Sequence, residues 1–189
     1  EGTIQAYDPL GTQDDEFNFP MSMTRLDVLL GNTSTEETFL DEETDEYVTI
    51  KKDNVFESKH VKKIRVKEEW YFDKQRSVMD VRIIGLCPIM ETYDDEDRYT
   101  GADSYLFWVY FPEARKVLSK AEVFNHRKND AARLTYDDIF HKRFFNSYIV
   151  KESNKYDRGI NQYRQGIDAL LEAEAIQEEI FNLEHDLWE

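Results

Sequence analysis

Residues 61–88 read VKKIRVKEEWYFDKQRSVMDVRIIGLCP, and the fold turns on them. In the first half Ile64, Val66, Trp70 and Phe72 share one face at period two, while Lys63, Arg65, Lys67, Glu69 and Tyr71 share the other. That alternation is the mark of a half-buried strand. Asp73 to Ser77 can turn, and Val78 onward supplies a second strand, with Gly85 placed for a bulge and Pro88 near its end. The stretch therefore predicts a β-hairpin, with Trp70 and Phe72 in the core and Tyr71, Asp73 and Arg76 presented outward.

The pattern continues on the C-terminal side. ETYDDEDRYTGAD (91–103) reads as a polar, acidic connection, and SYLFWVYF (104–111) as one central strand that is apolar on both faces. Pro112 can open a helix at its first position, and PEARKVLSKAEVF would align Val117, Leu118, Ala121 and Phe124 on one stripe. Thr135, with Asp138 three residues on, predicts a capped short helix. From Arg158 to Trp188 the apolar positions Ile160, Tyr163, Ile167, Leu170, Leu171, Ile176, Ile180, Leu183 and Leu187 predict a long helix. Its stripe through Ile167, Leu171 and Ile180 is expected on the sheet, and Glu172, Glu178, Glu179 and Asp186 are expected outward. Strands followed by helices argue for an α+β fold: an antiparallel meander of at least three strands packed against helices, ending in the long one.

On the N-terminal side the texture changes. DPLGTQDDEFNFP (8–20) and GNTSTEETFLDEETDE (31–46) are rich in Asp, Glu, Thr and Gly, interrupted by Met23, Leu26, Leu29 and Leu30. Residues 1–45 are thus expected to form an acidic arm of loops with one short helix, and residues 46–189 the α+β core domain.

Composition narrows the function classes. The 189 residues carry 24 basic against 40 acidic side chains, a net charge of −16, so nucleic acid and anionic membrane surfaces are repelled. No run approaches the ~20 apolar residues of a spanning helix, so no direct membrane insertion is expected. The chain opens on Glu1 with no signal-peptide pattern, and reads as a processed chain or an excised piece.

Site chemistry is sparse. The single Cys87 lies in an apolar run beside Pro88, the setting of an inert buried thiol. His60, His126, His141 and His185 are too far apart in sequence to form a zinc-type pair. Taking Asp95 as the first position of an EF-hand loop puts Thr100 where Gly is needed and Leu106 where Glu is needed. There is no phosphate-cradling Gly-rich loop, and Glu68 and Glu69, as strand neighbours, face opposite sides. No catalytic, cofactor or metal residue is expected. The basic run KKDNVFESKHVKKIRVK (51–67) has two readings: a solvated strand face with protective lysines, or a positive patch, including Lys63 and Arg65, that meets an acidic neighbour and favours head-to-tail self-assembly.

Four long blocks then fall in one order: KEEWYFDKQRSVMDVRIIGLCP, LFWVYFPEARKVLSKAEVFN, NDAARLTYDDIFHKRFFNSYIVKESNKYDRGI and GIDALLEAEAIQEEIFNLEHDLWE, with GTIQAYDP and DDEF near the start. Together they resemble the GldN/PorN family of the Bacteroidetes gliding-motility and type IX secretion machinery. The resemblance implies a non-enzymatic structural subunit located in the periplasm. It implies assembly into a ring with an outer-membrane lipoprotein (GldK/PorK-like), self-association in that ring, and engagement by an inner-membrane motor protein (GldM/PorM-like). Family members carry further sequence upstream and downstream, so the chain resembles a core fragment. The alternatives are an acidic protein-binding adaptor domain and, less favoured, a carboxylate-dependent hydrolase. The residues expected at a protein interface are Tyr71, Asp73, Arg76, Lys63 and Arg65.

Overall fold

A computed structural model of the chain describes residues 4–10, 14–30, 34–41, 46–53, 56, 58–94, 96, 98–124 and 133–186; for 34–41 and 46–53 it describes the backbone alone. The elements in chain order are β1 (Ala6–Tyr7), α1 (Met23–Leu29), β2 (Ser34–Asp41), β3 (Glu46–Asp53), β4 (Val61–Asp73), β5 (Val78–Tyr93), β6 (Tyr99–Tyr105), β7 (Trp108–Tyr110), α2 (Phe111–Leu118), β8 (Glu122–Val123), β9 (Leu134–Thr135), α3 (Tyr136–His141) and α4 (Ile167–Asp186). This is the α+β architecture expected, with a several-stranded antiparallel sheet and a C-terminal helix. The chain divides into two compact units: residues 1–69 with 83–116, and residues 70–82 with 117–189.

The first unit is built on a sheet of order β1-β7-β5-β4, with β6 also paired to β5. The expected hairpin is β4–β5. β5 pairs antiparallel with β7 through Gly85↔Tyr110 and Leu86↔Val109, and with β6 from Ile89↔Tyr105 to Tyr93↔Tyr99. Residues 104–111, expected as one strand, are divided between β6 and β7 at Leu106–Phe107. Pro88 explains the break: it has no N–H to offer the ladder, and only its carbonyl is used, by the Leu106 N–H at 3.1 Å. The acidic stretch 91–103, expected as a connection, forms most of the β5–β6 hairpin instead. Asp94 closes its tip, the Oδ1 accepting from the backbone N–H groups of Glu96 (3.0 Å) and Arg98 (2.8 Å).

The N-terminal stretch, expected as loops around one helix, also supplies strands β1 and β2. β1 pairs with β7 through Ala6↔Val109 and Tyr7↔Trp108, and β2 pairs with β3 from Ser34↔Asp53 to Asp41↔Glu46. Residues 14–18 are fastened over the sheet. The buried Trp108 indole Nε1 donates to the Asp14 carbonyl at 3.1 Å, and the Phe17 ring meets Tyr7, Trp108 and Tyr110 edge-on at 5.6, 5.8 and 6.3 Å between centroids. Gly85 permits this approach, because a Cβ there would overlap the Phe17 ring; its role is clearance for an aromatic ring. α1 begins at Ser22, whose Oγ accepts from the Arg25 N–H.

In the second unit α3 has the predicted cap. Thr135 Oγ1 accepts from the Asp138 N–H, and the Asp138 carboxylate accepts from the Thr135 N–H, a reciprocal capping box. The helix after Pro112 stops at Leu118 rather than running to Phe124, because Glu122 and Val123 pair with Thr135 and Leu134 as β8–β9. Val117 and Phe124 are consequently exposed.

The long helix corrects a further expectation. Its regular part starts at Ile167, after a 3-10 turn at Ile160–Gln162. The buried group is Ile160, Ala173 and Ile176, with Ile149, Ala169 and Ile180 packed against it. At about 100° per residue, positions 169, 173, 176 and 180 share one face. Ile167 and Leu171 lie on the other side and are 76% and 56% exposed, so the stripe expected through Ile167, Leu171 and Ile180 spans both faces. Glu178 and Glu179 are exposed as expected, and Glu172 is half-buried. The side chain of Asp186 and the residues His126, Asp95, Leu187 and Trp188 lie outside the described residues.

Candidate interaction surface

The tip of the β4–β5 hairpin holds three of the five interface candidates. Asp73 organises the turn. Its Oδ1 accepts from the N–H groups of Gln75 (2.8 Å) and Arg76 (3.2 Å), and its Oδ2 from Arg76 Nε (2.7 Å). Arg76 Nη2 also donates to Asp80 Oδ2 at 2.6 Å. Ser77 closes the turn in the left-handed region, at φ 53°. Arg76 holds the carboxyls of both Asp73 and Asp80 below the usual aspartate range, with backbone N–H donors adding to each. Tyr71 is exposed beside this cluster, with the Arg82 guanidinium 5.9 Å from its ring centre.

Trp70 was expected in the core together with Phe72. Phe72 is half-buried. Trp70 is 43% exposed, with the Arg143 guanidinium 5.8 Å from its ring, a cation–π pairing at a solvated site. The tip is therefore a prestiffened turn in which Asp73, Arg76 and Asp80 are paired with one another, carrying two exposed aromatic rings.

Lys63 and Arg65 belong to the first unit, and the structure does not bring them into the tip cluster. Lys63 Nζ reaches Glu91 Oε1 (3.2 Å) and Asp103 Oδ2 (3.1 Å) and lies 5.2 Å from the Tyr99 ring centre. The Asp103 carboxylate holds the Lys63 ammonium above the ordinary lysine range. The Arg65 guanidinium stacks 5.8 Å from the Tyr105 ring. Lys67, the third cation of the strand, donates to the Asp15 carbonyl at 2.7 Å and pairs with Glu16. Of the two readings of the basic run, the solvated face describes Lys63 and Lys67 better, because partners within the unit neutralise them.

Burial pushes the Cys87 thiol up to about 12, so the nucleophilic thiolate is suppressed. Among the described residues no group of three or more His, Cys, Asp or Glu side chains is arranged to hold a metal ion. His60 stacks on Tyr93 at 4.5 Å. No helix of the described residues is long and apolar enough to cross a membrane.

Two surfaces of the second unit escaped the sequence reading. One is the outer face of α4, where Ile167, Leu170, Leu171 and Phe181 are exposed. The signal was present in the spacing: at about 100° per residue, 167, 170, 171 and 181 converge on the side opposite 173 and 176. The other is the turn Glu152–Arg158. Asn154 Oδ1 accepts from the N–H groups of Tyr156 and Arg158, and its Nδ2 donates to the carbonyls of Glu152 and Arg158. Tyr156 projects from it beneath the Arg158 guanidinium, 4.6 Å from ring centre to charge.

A surface of stiff turns, exposed aromatics and an uncovered helix face suits a protein that other proteins contact. The family model described as "Gliding motility associated protein GldN" matches residues 1–189, the entire chain. The chain belongs to the GldN family. It is thus a gliding-motility-associated protein, and all four blocks of resemblance lie within the matched span. A comparison of this GldN-family chain with curated proteins gave no match.

Proposed function

We propose that the chain is a non-enzymatic structural subunit of the type IX secretion and gliding-motility apparatus. In this reading it lies in the periplasm and joins an outer-membrane lipoprotein of the GldK/PorK kind in a ring. The ring is engaged by an inner-membrane motor protein of the GldM/PorM kind. The GldN-family match across the whole chain carries the proposal. The exposed aromatic and apolar side chains at the hairpin tip and on α4 support it, since such residues anchor protein interfaces. Tyr71, Asp73 and Arg76 form one candidate contact, and Lys63 and Arg65 another. The net charge of −16 argues for protein partners over nucleic acid or anionic lipid.

The test is co-expression of the full-length protein with the lipoprotein, followed by purification and electron microscopy. Rings containing both proteins are the expected result. A protein that never enters rings with the lipoprotein overturns the reading.

A further inference from the structure

The second unit carries two exposed surfaces of opposite chemistry. On the outer face of α4, Ile167, Leu170, Leu171 and Phe181 surround Glu174 and Glu178. Phe181 is 66% exposed, and neither glutamate has an ion-pair or hydrogen-bond partner among the described residues. The second surface is the Asn154-braced turn. Tyr156 stands exposed there between Lys155 Nζ at 5.8 Å and the Arg158 guanidinium at 4.6 Å. Asp157 is paired with Lys151 at 2.6 Å, whereas Lys155 and Arg158 lack ion-pair partners among the described residues.

The two surfaces point away from one another. Ile149 and Ile160, at the two stems of the turn, pack with Ala173 and Ile176 on the inner face of α4, and the Ile160 N–H donates to the Val150 carbonyl at 2.9 Å across the neck of the loop. The turn is therefore attached to the side of the helix opposite Ile167, Leu171 and Phe181, and cannot fold onto the outer face of its own α4.

We infer that the outer face of α4 receives the Lys155–Tyr156–Arg158 turn of a second copy of the chain. The Tyr156 ring sits among Leu170, Leu171 and Phe181, and the two cations meet Glu174 and Glu178. The choice of a second copy rests on charge and shape complementarity between two surfaces of one chain. Pairing α4 with another α4 would set glutamate against glutamate, which is unfavourable at close range. The bodies repel each other at a net charge of −16 apiece, but that repulsion is screened beyond about 8 Å at physiological salt, so local matching at the contact decides. Because the two surfaces differ and face apart, the contact is heterologous, and repeating it builds a ring or a filament. That it would close as a ring rests on the function proposed above.

Sedimentation of the full chain at about 0.15 M salt, over a range of concentrations, tests the contact. The variants are Glu174→Lys/Glu178→Lys on the helix and Lys155→Glu/Arg158→Glu on the turn, all at exposed positions, with circular dichroism to confirm folding. Wild type is expected to associate with rising concentration, and each variant alone to associate at least about tenfold more weakly, the effect of losing one desolvated charge pair. The variant carrying all four changes should regain association, because the complementarity is restored with its signs exchanged. A wild type that stays monomeric, variants that associate as wild type does, or a fourfold variant that stays dispersed would each overturn the inference. A monomeric wild type that still enters rings with the lipoprotein sinks this contact and leaves the proposed function standing. A chain that associates through these surfaces but never enters such rings does the reverse.

Discussion

Trp108 and Trp70 both stand in strands dense with aromatic residues, and the regions around them treat apolar surface in opposite ways. Trp108 is 2% exposed. Its indole N–H is taken by the Asp14 carbonyl, and Phe17 packs on it edge-on. The cations of the adjoining hairpin base, Lys63 and Lys67, are consumed by carboxylates of the same unit. Trp70, in the second unit, stays exposed beside Arg143, and α4 keeps its apolar outer face in solvent. Leaving such surface uncovered forfeits about 25 cal/mol per Å². Trp108 is covered by residues of its own unit, whereas Trp70 and the outer face of α4 stay exposed.

The most direct attempt to break that contrast replaces each tryptophan by alanine. Trp108→Ala is expected to cost about 3–5 kcal/mol, since it opens a cavity and orphans a buried hydrogen-bonding group. Trp70→Ala should cost under about 1 kcal/mol. Urea unfolding followed by far-UV circular dichroism reads both, and equal losses would refute the contrast.

A smaller effect probes how the N-terminal residues close the first unit. Gly85→Val places a side chain where the Phe17 ring lies, at an expected cost of about 1–3 kcal/mol from overpacking. In a Phe17→Ala background the same change should cost clearly less, a coupling that a double-mutant cycle measures. Additive costs would mean that Phe17 does not occupy that space.

The smallest effect concerns α3. Asp138 is held at about 2 by Lys142, at 2.9 Å, and by the Thr135 hydroxyl and N–H. A carboxyl depressed on folding adds stability above its unfolded value near 3.9, and that stability is lost as pH falls through the folded value. The α3 cap should therefore loosen between about pH 4 and pH 2, seen as a falling amide-exchange protection factor at Thr135, whose N–H the Asp138 carboxylate accepts. Asp138→Asn should remove that pH dependence while weakening the cap at neutral pH.

Much of the fold was legible in the residues because it depends on local periodicity. The β4–β5 hairpin announces itself by alternation at period two, and the α3 cap by Thr135 with Asp138. What failed was anything set by a distant partner. Residues 91–103 looked like an acidic connection because their charge hides a strand, and the pairing comes from β5. The helix after Pro112 looked longer than it is because Ala121 and Phe124 extend its apolar stripe, while the pairing of Glu122 and Val123 is set by β9, further along the chain. Residues 14–18 gave no hint of their role because Phe17 finds its place only against Gly85 and Trp108.

The candidate surface divides in the same way. Asp73 and Arg76 were readable as a turn because their contacts lie within seven residues. That Lys63 and Lys67 are already neutralised was not readable, since Asp103 and Glu16 lie 40 and 51 residues away.

By itself the sequence determined that an antiparallel sheet is joined to a C-terminal helix, that a hairpin ends in a charged turn, and that the family is GldN. These follow from spacing and from patterns carried along the chain. Only the tertiary structure decided which of two apolar faces α4 buries. A helix advances by about 100° per residue, so Ile167 and Ile176 are equally available until Ile149 and Ile160 pack against one side and leave the other to water.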